Sequence, residues 1–116
     1  MIQVLKRLSA YFYRSEEDRE PVREWLRSLN PVDRKIIGED IRKIEFSWPL
    51  GMPFVRSLGR GLWEVRSRLV DGRMSRIIFC VEKDRMILLH GFIKKSQKTP
   101  KKDIDLAIKR KRGEYL

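Results

Sequence analysis

Residues 62–94 read L-W-E-V-R-S-R-L-V-D-G-R-M-S-R-I-I-F-C-V-E-K-D-R-M-I-L-L-H-G-F-I-K. Leu62 to Val70 alternates. Trp63, Val65, Ser67 and Leu69 fall on one side, and Glu64, Arg66 and Arg68 on the other, which is the period of a strand with two unlike faces. Asp71-Gly72 is a hairpin signal, because the turn needs residues that tolerate a positive φ. Met74 to Glu82 and Met86 to Lys94 are largely apolar, as central strands covered on both faces are. Lys83-Asp84-Arg85 turns between them. Arg66 and Arg76 flank the Asp71-Gly72 turn. They share a face of the sheet if the connecting loop has an odd number of residues, and point oppositely across a strict two-residue turn. The sequence leaves that register open.

Outward from this stretch the pattern changes. Phe54 to Leu58 is a short strand, preceded by the loop Trp48-Pro-Leu-Gly-Met-Pro. Ile2 to Tyr13, rich in β-branched and aromatic residues, reads as a first strand. Ser15-Glu-Glu-Asp is expected to open a helix acid-first, and Pro21 fits within its first turn if the helix starts near Glu20. Val22, Trp25, Leu26 and Leu29 then form one apolar face. Asn30-Pro31 caps and starts a second helix, striped by Ile37, Ile41 and Ile44 with Ile36 beside them. Almost nothing joins the two, so a helical hairpin is expected. After Lys94, Thr99 is expected to cap a helix beginning at Pro100, with Asp103 and Asp105 early and basic residues late. Its apolar face is Ile104, Ala107 and Ile108. The order β-α-α-β-β-β-β-α gives an α+β fold with a twisted, mostly antiparallel sheet.

The 116 residues fit one domain, 1–116. No apolar run approaches the roughly 20 residues that span a bilayer, and the N-terminus does not read as a signal peptide. A cytoplasmic protein is expected. The single cysteine, Cys80, lies in an apolar run and reads as a buried thiol, which rules out an internal disulfide or a cysteine-based metal site. The net charge of +11 is unevenly spread. Residues 1–50 carry 10 basic and 9 acidic side chains, whereas residues 94–116 carry 9 and 3. Five lysines and no acid lie between Lys94 and Lys102. Charge gathered where the sheet pattern ends suits a polyanion, RNA or DNA.

With one histidine, a His-based metal centre and a two-histidine ribonuclease are both unavailable. Gly59-Arg-Gly61 is a turn and not a phosphate loop. His90, between Leu89 and Gly91, reads as a packed or hydrogen-bonded core residue rather than a general base. Glu64 reads as a salt-bridge partner. The remaining chemistry lies in cations on or after strands: Arg66, Arg76, Lys94, Lys95 and Lys98. Attack of a ribose 2′-hydroxyl on its phosphate builds negative charge on a pentavalent phosphorane, and converging arginine and lysine donors stabilise it.

Several pieces in order along the chain carry a resemblance. They are Pro21-Val-Arg-Glu-Trp-Leu26, Leu58-Gly-Arg-Gly-Leu-Trp-Glu-Val-Arg66, Arg76-Ile-Ile-Phe79, and Leu88-Leu-His-Gly-Phe-Ile-Lys-Lys-Ser-Gln-Lys-Thr-Pro100 leading to Asp103-Ile104 and Ala107. The chain resembles the HigB-type toxins of the RelE/ParE superfamily, in particular the phage Gp49-like branch. The resemblance implies a RelE-like fold and a type II toxin that enters the ribosomal A site and cuts mRNA there, as a metal-independent endoribonuclease without a cofactor. It implies a helix-turn-helix antitoxin of the HigA type, and the 70S ribosome with its mRNA as target. No membrane is involved, and the toxin alone is a monomer that forms a larger assembly with its antitoxin. The catalytic cations it implies are Arg66, Arg76, Lys94 and Lys95. The RNA-binding residues are Arg68, Lys98, Lys101 and Lys102. Many RelE relatives carry a C-terminal tyrosine, but nothing aromatic lies here between Phe92 and Tyr115. The mechanism therefore leans on arginine and lysine. A gyrase inhibitor of the ParE kind, or a non-enzymatic nucleic-acid-binding module, would use the same fold.

Overall fold

The computed structural model describes residues 5–49, 51, 54–94 and 98–114. In chain order the elements are β1 (Ser9–Phe12), α1 (Pro21–Ser28), α2 (Pro31–Ser47), β2 (Val55–Gly59), β3 (Leu62–Arg68), β4 (Met74–Glu82), β5 (Arg85–Lys94) and α3 (Lys101–Glu114). The sheet order is β1-β5-β4-β3-β2. β1 runs parallel to β5, and every other pairing is antiparallel. This is the α+β architecture that the sequence predicts.

The long apolar runs of β4 and β5 are explained by their place at the centre of the sheet, with helices on both sides. On one face Val65, Ile77, Phe79, Met86 and Leu88 pack against Val22 of α1 and Ile37, Ile41 and Ile44 of α2. On the other, Leu62, Ile78, Cys80, Ile87 and Leu89 pack against Ala107 of α3. Trp48 closes the first layer, edge-on to Trp63 (centroids 5.1 Å apart) and to Phe79 (5.8 Å). Gly91 lets α1 come close. A Cβ there would meet the Trp25 ring at 2.5 Å.

Three local expectations are corrected. Ser15 to Asp18 is a turn and not the opening of a helix. The Asp18 N–H donates to the Ser15 carbonyl at 2.9 Å, the Arg19 N–H donates to Ser15 Oγ at 3.1 Å, and Asp18 has φ 62. Pro21 sets the boundary, since the residue before a proline is pushed away from helical ψ, and Glu20 sits at ψ 86. The first strand is shorter than read, Ser9–Phe12, and Ile2 to Val4 lie outside the described residues. Finally, the last helix opens at Lys101, one residue later than read, with the Asp103 and Ile104 N–H groups donating to the Pro100 carbonyl at 3.1 and 3.3 Å, while the Thr99 hydroxyl donates to the buried Glu64 carboxylate at 2.6 Å. Asn30 does cap α2, its Oδ1 accepting from the Asp33 N–H at 2.9 Å.

The open register is resolved by a five-residue connection, Leu69 to Arg73. It is closed by the Leu69 N–H donating to the Arg73 carbonyl at 2.8 Å. Asp71 and Gly72 supply the positive φ values inside it, 67 and 72. The odd length places Arg66 directly opposite Arg76. The bidentate pair of Arg73 with Asp33, at 3.0 and 3.2 Å, ties this connection to α2.

Candidate functional site

The α3 side of the sheet carries a grid of polar side chains, fixed by cross-strand pairing. Glu64, Ile78 and His90 form one row across β3, β4 and β5. Arg66, Arg76 and Phe92 form the next, and Arg68, Met74 and Lys94 the third. Directly opposed residues share a face, and strands lie about 4.8 Å apart, so Arg68 to Lys94 spans roughly 10 Å. The structure thus brings Arg66, Arg68, Arg76 and Lys94 to one face. Lys95 lies outside the described residues. Lys98 is exposed ahead of α3, and Lys101 and Lys102 are exposed in its first turn.

Glu64 is the hub of the grid and is 0% exposed. Its Oε1 accepts from Arg66 Nε at 2.8 Å and its Oε2 from the Thr99 hydroxyl at 2.6 Å. Arg76 Nη1 donates to the same hydroxyl at 3.5 Å. The salt-bridge reading of Glu64 therefore holds. The carboxylate fixes the plane of the Arg66 guanidinium and draws the segment before α3 onto the sheet. Arg76 is only 1% exposed, so in this conformation it reaches Thr99 and not solvent. Its Nε has no partner among the described residues. Burial lowers the Arg76 pKa from its ordinary value. Glu64 opposes that shift, Arg66 and Arg56 add to it, and Asp103 opposes it.

One pairing escaped sequence reasoning. His90 Nε2 lies 2.7 Å from Asp103 Oδ1, joining β5 to the first turn of α3. The imidazole stacks on Phe92, with centroids 5.3 Å apart and planes 27° apart. His90 is hydrogen-bonded, as one reading of it held. Asp103 appeared in the sequence only as an acid favouring the start of a helix. No spacing rule links residues 90 and 103 across a strand and a loop. Further along α3, Arg110 Nη1 donates to the Leu89 carbonyl at 2.8 Å, and its guanidinium lies 5.6 Å from the Tyr13 ring centroid. Burial lowers the Arg110 pKa and Tyr13 opposes that. Lys111 Nζ donates to the Arg60 carbonyl at 2.8 Å.

Among the described residues no group of three or more His, Cys, Asp or Glu side chains comes together in a way that could hold a metal ion. None of the described helices is long and apolar enough to cross a membrane. Chemically, the face offers fixed cations, one imidazole held by a carboxylate, and an aromatic ring between them. These are parts that bind a phosphate backbone and move a proton. Residues 24–112 match the family model described as phage derived protein Gp49-like (DUF891). That match runs from within α1 to within α3 and includes every residue of the grid. No curated protein matches the chain.

Proposed function

The chain belongs to the Gp49-like family, a RelE/ParE-like toxin family, and from that premise we propose that it is a ribosome-dependent mRNA endoribonuclease of a type II toxin–antitoxin pair. The architecture is consistent with a RelE-like fold. The observation that carries the reading is the cation grid. Arg66, Arg76 and Lys94 lie on adjacent strands of one face, beside the lysines that open α3. A nuclease working through the ribose 2′-hydroxyl needs little more than positioning and charge. Arg66, oriented by Glu64, and Lys94 at the end of β5 face the phosphate. Arg76 supplies positive potential from beneath. Lys95, Lys98, Lys101, Lys102 and Arg68 hold the flanking RNA. The working setting is the 70S ribosome in the cytoplasm, and a HigA-type helix-turn-helix antitoxin neutralises the toxin.

The test is primer extension on a defined mRNA with purified protein, with and without programmed ribosomes. Cuts that need ribosomes and disappear in the double variant Arg66→Ala, Lys94→Ala are expected. Growth arrest with intact mRNA and accumulating DNA breaks would replace this reading with gyrase inhibition. Salt-dependent RNA binding without toxicity would leave a binding module.

A further inference from the structure

The sheet re-aims one side chain. Leu88 pairs with Phe79 and His90 with Ile78, so Leu89 is an extra residue in β5. Leu88 packs toward α1 and α2, and strict alternation would send His90 the same way. The bulge turns both Leu89 and His90 to the α3 side, onto the face of the cation grid. Re-aiming a side chain next to a site is a recognised use of a bulge.

The environment of the ring then says what it can do. A carboxylate only accepts, so Asp103 Oδ1 holds the proton of a neutral imidazole on Nε2 and leaves the lone pair on Nδ1. Asp103 is 8% exposed, and its Oδ2 has no partner among the described residues. On the same face lie Arg76 of β4 and Glu64 with Arg66 of β3, and Arg110 of α3 donates to the Leu89 carbonyl next to His90 in the chain.

We infer that His90 is the proton acceptor of the cleavage reaction and that Asp103 is its positioning residue, an inference that rests on the ribonuclease reading above. The 2′-oxygen bonds to phosphorus as its proton passes to His90 Nδ1. The P–O5′ bond breaks, and the departing oxygen takes a proton from the Lys94 ammonium. The products are a 2′,3′-cyclic phosphate and a 5′-hydroxyl, and both side chains exchange protons with water to reset. Phe92, on the same face and opposite Arg76, stacks on the imidazole and holds the ring in place.

Single-turnover cleavage of a defined mRNA on programmed ribosomes, followed from about pH 5.5 to 8.5, tests this. Wild type, His90→Gln, Asp103→Asn and Asp103→Glu are compared, each checked by circular dichroism. The wild-type rate is expected to rise with pH through a single-proton step and then level. His90→Gln is expected to be ~10²-fold slower or more and to lose the step. Asp103→Asn is expected to keep the step at a rate ~10-fold lower or more, because the carboxylate that fixes the imidazole tautomer is gone, and Asp103→Glu is expected to recover part of that loss. If His90→Gln does not fold, a natively folded Asp103→Asn protein with the wild-type rate overturns the inference. A His90→Gln rate within threefold of wild type overturns it as well. A uniform slowing of His90→Gln with the wild-type step retained overturns it too, since that marks a structural role. Wild-type protein that leaves mRNA whole on ribosomes removes the nuclease reading itself, and this inference with it.

Discussion

Arg76 carries a permanent positive charge into a site that is almost sealed from water. It is tolerated there because Glu64 lies buried on the neighbouring strand and Thr99 bridges the two. Removing one member of such a set leaves the other charge stranded. Arg76→Ala is therefore expected to lose ~3 kcal/mol or more in urea denaturation. A loss of toxicity in that variant would report stability before chemistry. Thr99→Val keeps the shape but strips a hydrogen bond from Glu64 Oε2. It should cost about 1–3 kcal/mol, and the same change made in a Glu64→Gln background should cost less if the unmet carboxylate is its cause. At this scale the sequence was legible in part. The alternation of Leu62 to Val70 put Glu64 and Arg66 on one side. It could not show that Arg76 ends up buried, because burial depends on where a segment some twenty residues later comes to rest.

Elements were legible where period and punctuation agreed. Asn30-Pro31, the stripe of α2 and the apolar runs of β4 and β5 all fall where the pattern puts them. What the pattern missed are the irregularities that aim side chains. The five-residue connection brings Arg66 opposite Arg76, and the bulge at Leu89 sends His90 to α3. Both depend on local insertions that a period-2 template treats as noise. The bulge also sets the phase of Gly91, which then faces Trp25 of α1. Gly91→Ala would drive a methyl group into that ring, and Trp25 is held by packing against the core. The variant should be destabilised by about 1–3 kcal/mol. In combination with Trp25→Leu the penalty should shrink, which thermal melts of the two single variants and the double will show.

Across the whole molecule, charge is sorted by layer. The hairpin side, α1 and α2, is nearly balanced in charge, whereas the α3 side collects the cation grid and the lysines at the start of α3. That asymmetry was visible in the sequence as a drift in net charge along the chain, and the fold turns the drift into a face. Under the function proposed above, binding to ribosomes should weaken steeply with salt. Replacing Lys101 and Lys102 with alanine should lower the slope of log affinity against log salt by about 0.7–0.9 for each phosphate that is no longer neutralised. Because both side chains are exposed, stability should stay within ~0.5 kcal/mol of wild type in the same buffers. An unchanged slope would mean that α3 points away from the RNA.

The parallel pairing of β1 with β5 also bears on how the protein is made. Ser9 finds its partner only when Arg85 has been synthesised, and the Glu64 hub is closed only when Thr99 has followed. Until both have emerged, a nascent chain has neither a complete sheet nor a closed polar face. If its target is the translating ribosome, the order in which its strands emerge keeps that face open until Thr99 has left the ribosome that makes it.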